Sequence, residues 1–354
     1  MSPRRRFRLL VPCLVVLAGA RVAAAQSSYP SFRLGVFADG NLAYSFSSHA
    51  TTFSFGEVDP YAEARFSEDW SALAEALVQR IERGSNVDQP GKSSIDVDLE
   101  RLYVAWSRSD ALRLQVGELN SGIILWNERE QVPRFLQTPV DVPSMARRSE
   151  QGGAWPLHMI GAWAWGQGPG AAGFRYGVGL GAGRGQTRDD VTFAGAASPA
   201  AVASIAFAPA EIPGWTIGGA AFVDRIPAPE GTYSEIDETL STSYLHGPLE
   251  LRGEWGRMDH RLAGSSHVTT GWYALASWRL GGTLQSLRPY VLFDRLDVAN
   301  EEPYLSDVPD QRAWSAGVRW DASSHLVLKF DYQSQRAPAP EEERRVRVQV
   351  AVAF

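Results

Sequence analysis

The chain has 354 residues, with 34 Lys and Arg against 40 Asp and Glu, a formal charge of −6 and a single cysteine. With 44% hydrophobic residues, 21% charged residues and a mean hydropathy of −0.20, the composition argues against a helical membrane protein. One cysteine excludes a disulfide framework and a thiolate zinc site, and the acidic charge argues against nucleic acid as a partner.

The first 25 residues place Arg4, Arg5, Arg6 and Arg8 before an apolar stretch from Leu9 to Ala20, then Val22-Ala23-Ala24-Ala25 before Gln26. This three-part pattern predicts a secretory leader cut after Ala25, leaving residues 26–354 as the mature protein. The apolar run is too short to span ~30 Å of hydrocarbon as a helix. Cys13 departs with the leader. So do five arginines and no acid, and the mature chain keeps 29 basic groups against 40 acidic ones, a formal charge of −11.

From Ser31 onward the apolar residues alternate with period two. Phe32, Leu34, Val36 and Ala38 alternate with Arg33, Gly35, Phe37 and Asp39, and Leu326, Leu328, Phe330 and Tyr332 with Val327, Lys329, Asp331 and Gln333. Turn-forming residues interrupt this pattern, and the interruptions alternate in length. Short ones fall at 67–69, 108–110, 167–171, 209–214, 246–248, 281–287 and 322–324, and longer ones at 47–52, 82–94, 120–154, 185–197, 225–232, 258–267, 299–309 and 336–343. Seven turns and eight loops join sixteen strands. The expected fold is therefore all-β, one transmembrane antiparallel β-barrel of about 16 strands, with both termini on the side of the short turns. No composition shift separates a second domain.

A soluble sandwich would also alternate. Trp70, Trp106, Trp155, Trp163, Trp165, Trp215, Trp255, Trp272, Trp278, Trp314 and Trp320 cluster at strand ends, as two interfacial girdles would require. The segment 67–84 looks locally helical, with Leu73, Leu77 and Ile81 on one face and Gly84 beyond. It is read as a strand because a helix there would leave an odd strand count and an open edge.

The last nine residues, Val346 to Phe354, alternate without a break and end on an aromatic. This resembles the C-terminal strand signature of bacterial outer-membrane barrels, and implies delivery by the barrel assembly machinery into outer-membrane lipid. Within that class, Leu99-Glu100-Arg101-Leu102-Tyr103-Val104, Leu114 to Asn120 and Trp126-Asn127-Glu128-Arg129-Glu130 resemble the sixteen-stranded porins, in particular the phosphate-selective-porin-like group. The resemblance implies passage of small hydrophilic solutes or ions, a third loop folded into the lumen and a homotrimer. The lysine-lined passage of true phosphate channels has no counterpart, since the mature chain has only Lys92 and Lys329.

The connection 120–154 far exceeds the others, and loops beyond ~12–15 residues are mostly functional or disordered. Its Pro133, Pro139 and Pro143, with Phe135, Leu136 and Val140, point to a packed loop. It carries Glu128, Glu130, Asp141 and Glu150 against Arg129, Arg134, Arg147 and Arg148. Lumen-facing positions are expected at Arg33, Glu57, Asp59, Glu63, Arg65, Arg113, Glu250, Arg252, Glu254, Arg319, Lys329 and Arg347. Opposed charges would set a transverse field at a constriction. Gly177, Gly179, Gly181 and Gly183 form one face of a strand, where the loop is expected to pack.

Catalytic signals are weak. His49, His158, His246, His260, His267 and His325 fall singly, without zinc-protease spacing or a nucleophile elbow. Asp259-His260, in a predicted outer loop beside Ser265 and Ser266, is the one arrangement a hydrolase could use. The favoured expectation is an outer-membrane porin with no enzymatic activity and no cofactor, and the alternative is a barrel that binds or adheres through its outer loops.

Overall fold

The computed structural model describes residues 29–83, 92–130, 134–168, 173–185, 198–228, 231–262, 264–302, 304–336 and 342–354, with the side chains of 80–83, 92–94, 96, 128–130 and 150 excepted. The predicted leader lies outside these residues. The strands are β1 (Ser31–Ser45), β2 (Thr51–Arg65), β3 (Trp70–Arg83), β4 (Lys92–Ser109), β5 (Leu112–Asn120), β6 (His158–Gln167), β7 (Arg175–Ala182) and β8 (Pro199–Phe207). They continue as β9 (Trp215–Ala228), β10 (Gly231–His246), β11 (Leu249–Leu262), β12 (Ser265–Trp278), β13 (Leu287–Asp297), β14 (Gln311–Asp321), β15 (Leu326–Arg336) and β16 (Glu343–Ala353).

These sixteen strands close into one antiparallel barrel in which each pairs with its sequence neighbours and β1 pairs with β16. At the seam the Val36 and Phe354 backbones exchange N–H···O bonds of 3.0 and 2.9 Å, so the terminal aromatic closes the sheet. The helix-like segment is strand β3, paired to β4 from Trp70↔Trp106 to Arg83↔Lys92. Ring closure overrides its local propensity, because without β3 both neighbours would carry an unpaired edge.

The alternation sorts as expected. On β15, Phe330 is exposed on the outside while Val327, Lys329, Asp331 and Gln333 are buried on the inside. Phe32, Phe55, Val116, Ile205 and Leu240 on other strands are each 60% or more exposed. A water-soluble surface does not present so continuous an apolar belt, and a lipid-facing one must. Trp70, Trp106, Trp215, Trp278 and Trp320 sit at the short-turn ends of their strands, Trp314 lies toward the other side, and Trp255 and Trp272 face each other at mid-strand.

Trp155, Trp163 and Trp165 correct the girdle expectation. Trp155 and Trp163 are buried inside the barrel, and Trp165 faces inward beneath Arg113. Two predicted loops also contract. At 225–232 and 258–267 the strands run on to Ala228, Gly231, Leu262 and Ser265. The polar residues there read as loop, yet Ile226, Tyr233 and Met258 alternate inward and are buried.

Gly117 has φ +142, and a Cβ there would collide with the Leu102 carbonyl on β4. Gly117→Val is therefore expected to lose the heat-modifiable barrel or lower its unfolding temperature, on strain of about 1–3 kcal/mol. Gly281→Ala, where a Cβ meets open space, should leave both unchanged in the same gel-shift assay.

Candidate functional site in the lumen

The third long loop, 121–157, carries among its described residues a short helix α1 (Leu125–Glu130) and two single 3-10 turns at Ser144–Ala146 and Ser149–Gln151. It lies inside the barrel. Chain with so little secondary structure brings many backbone donors and acceptors into a space where each needs a partner. The barrel wall supplies them.

Lys329 on β15 donates to the carbonyls of Arg134 and Pro139 at 2.5 and 2.9 Å, and Arg319 on β14 donates to those of Phe135 and Gln137 at 2.8 and 2.7 Å. Acceptors on the wall take the amides: Glu254 from Leu125 at 2.7 Å, the Tyr290 hydroxyl from Val140 at 3.2 Å, and Asp294 from Ser144 at 2.7 Å. Thr239 donates its hydroxyl to the Ile123 carbonyl at 2.7 Å. Lys329 and Arg319, expected as channel charges, thus strap the loop to the wall.

An apolar layer completes the attachment. Ile123, Ile124, Trp126, Val142, Met145 and Trp155 of the loop pack with Met159, Val202, Phe222, Met258, Tyr273, Leu292 and Leu296 of the wall. Glycine does make room for the loop, at a different place from the expected one. Gly256 and Gly271 face each other across β11 and β12, and a Cβ on either would lie 3.1 or 2.9 Å from the Trp155 indole. The stripe on β7 accommodates wall side chains instead: Trp163 over Gly177 and Gly179, Met159 over Gly181, and, just past the strand, Asp224 against Gly183.

On the β1–β5 side the loop presents charge. Arg134 and Arg148 lie 3.2 and 3.5 Å from Glu57 on β2, Arg148 also lies 2.8 Å from Glu100 on β4, and His158 is 3.1 Å from the same carboxylate. Asp59 is 1% exposed beside this cluster. On the β14–β16 side, Asp141 lies 3.2 Å from both Arg147 and Arg347, and Arg347 continues to Asp331 at 2.7 Å. Burial would raise the Asp141 pKa. Arg147, then Arg347 and Arg134, outweigh it and hold the carboxyl below the usual range.

Arg33, Glu63 and Arg65 stand at the short-turn mouth, with Arg33 3.8 Å from Glu63 and 73% exposed. Arg113 pairs with Asp110 at 2.7 Å near the same mouth. Arg252 is bound to Glu250 at 2.8 Å, and Glu250 also accepts from Thr138 of the loop at 2.9 Å. The side chains of Glu128, Arg129, Glu130 and Glu150 lie outside the described residues. Sequence reading missed Tyr290, Asp294, Asp331 and Thr239, whose only signal is their inward parity on strands with polar inner faces.

His260 lies within β11, not in a loop. It is buried, with Nε2 2.9 Å from Glu235 and Nδ1 3.3 Å from Glu302, and Glu235 also binds Arg184 at 3.1 Å. Arg184 in turn donates to the Ala154 carbonyl at 2.7 Å, tying the end of the third loop to this cluster. Ser266 donates to Asp259 at 2.7 Å, on the other face of the strand from the imidazole.

No family model matches the sequence, and no curated protein matches it either. Among solved structures it is similar to the anion-selective porin from Comamonas acidovorans, with a TM-score of 0.65 at 14% identity over 92% of this chain and 100% of that one. It is also similar to OmpF of Salmonella typhi in complex with daunomycin, with a TM-score of 0.61 at 9% identity over 91% and 97%. The outer membrane channel DcaP of Acinetobacter baumannii gives 0.59 at 10% over 92% and 97%. The fold is that of the sixteen-stranded outer-membrane porins.

The depressed Asp141 pKa fixes a sign. Its ion pairs contribute fully above the ordinary aspartate value of ~3.9 and are lost as pH falls through the lower folded value. A nitroxide at Leu136→Cys, which is exposed, should be immobile at pH 5–7 and become mobile only well below ~3.9. Adding Asp141→Asn should mobilise it already at pH 7, as electron paramagnetic resonance would show.

Proposed function

We propose that the protein is a passive outer-membrane channel that admits small hydrophilic solutes or ions past its third loop. The observation that carries this reading is the loop's position: it lies within a polar lumen, strapped from within, with Arg134 and Arg148 facing Glu57 on β2 and Glu100 on β4. The paired Glu57, Glu100, Arg134 and Arg148 would set a local field at one side of the passage that orients a polar solute. His260 faces away from the Asp259–Ser266 pair across the strand, which favours transport over hydrolysis. No cofactor is part of this reading. The apolar belt supports outer-membrane lipid as the surrounding medium, the strand ending in Phe354 supports handling by the assembly machinery, and a homotrimer remains the state proposed from the likeness to porins. Residues 1–25 are proposed as the leader.

Single-channel recording of the mature protein in a planar bilayer tests it, with reversal potential measured under a salt gradient. Stepwise openings are expected. Arg148→Gln leaves Glu57 and Glu100 less compensated, so the reversal potential should move toward cation preference. Silence from an inserted, heat-modifiable barrel would sink the channel reading and transfer the function to the outer loops, as a binding or adhesion barrel.

A further inference from the structure

Below the third loop, toward the short turns, the lumen keeps a cavity of about 320 Å³ that falls in the size range of small-molecule sites. Its roof is Leu119, Gly122, Ile123 and Leu125. One wall is aromatic, formed by Tyr103 of β4 and Trp163 and Trp165 of β6. The glycine stripe explains the shape of this wall. Trp163 lies flat against β7 because Gly177 and Gly179 leave no side chain beneath the indole, so the ring lines the cavity without crossing it. The Arg113 guanidinium stacks 4.6 Å from the centre of the Trp165 ring and holds that ring in place.

The charges around this wall are unequal. Arg101 is spent on Glu75, at 2.6 Å. Glu254, the acid that lines the cavity, accepts the Leu125 amide at 2.7 Å. Arg175 has a different situation: its one side-chain bond is to the Thr216 hydroxyl at 3.4 Å, and among the described residues no carboxylate pairs with it. A guanidinium without a counter-ion beside indole rings suits an anion that also covers apolar surface.

We propose that this vestibule is a docking site for aromatic monocarboxylates, with the ring against Trp163 and Trp165 and the carboxylate on Arg175. An inorganic anion would satisfy Arg175 and leave the indoles uncovered. A neutral aromatic would do the reverse. The proposal deepens the channel reading, on which it rests for the ligand's route of entry.

The test uses the full mature barrel in micelles and in planar bilayers, with benzoate as probe and benzamide and acetate as its neutral and ring-free counterparts. Saturation-transfer NMR and calorimetry should show saturable benzoate binding, with benzamide and acetate each roughly tenfold weaker or more. Arg175→Gln should weaken benzoate by roughly tenfold and leave benzamide unchanged, and Arg175→Lys should recover part of the loss. Trp163→Leu, checked for heat-modifiability, should weaken benzoate and benzamide alike. Equal affinity for benzoate and acetate, indifference to Arg175→Gln, or no saturable benzoate binding would each overturn the site. A barrel that conducts potassium chloride without binding benzoate overturns the docking site alone, and one that binds benzoate without conducting overturns the channel reading alone.

Discussion

A loop with so little regular structure can lie inside a barrel only if its backbone polar groups find partners there. That requirement organises this lumen. The carbonyls of Arg134, Phe135, Gln137 and Pro139 are met by Lys329 and Arg319, and the amides of Leu125, Val140 and Ser144 by Glu254, Tyr290 and Asp294. Each unmet group would cost about 1–3 kcal/mol once buried. The loop's place follows from this pairing more than from shape.

The pairing also divides the lumen. Around β6–β13 the loop is fixed by an apolar layer in which Trp155 fits against the glycine pair Gly256 and Gly271. Toward β2 and β4 it presents Arg134 and Arg148 to carboxylates. Toward β16 it is held by the Asp141–Arg347–Asp331 chain. The proposed passage for polar solutes is thus bounded by charges whose positions are set by the same contacts that hold the loop. Changing a strap should alter selectivity and loop mobility together.

Much of the barrel was legible from period alone. The alternation in β15, the unbroken terminal strand and the even count of interruptions give strand number, faces and terminus placement, and closure decides β3 against its helical appearance. Two features were not legible. Polar residues in 225–232 and 258–267 read as loop because composition cannot separate a turn from a strand end that packs against other polar groups, as His260 does with Glu235 and Glu302. The glycines on β7 read as a seat for the loop, whereas the seat is Gly256 and Gly271, two glycines distant in sequence and joined only by strand register. For the site, sequence parity placed Glu57, Arg319, Lys329 and Arg347 on the inner face, but could not tell a cation that faces solute from one that faces a carbonyl. That distinction lies in the fold of the loop.

The third loop rests inside the lumen against β13. The only cysteine, Cys13, lies in the proposed leader, so a cysteine pair can be introduced cleanly. Ser144 donates both its amide and its hydroxyl to Asp294, at 2.7 and 2.9 Å. In Ser144→Cys/Asp294→Cys, mild oxidation in the native membrane should give a rapid, near-complete disulfide within the monomer, with the barrel still heat-modifiable. A pair that stays reduced under conditions that oxidise an accessible control pair would show that the loop rests elsewhere, and would contradict this account.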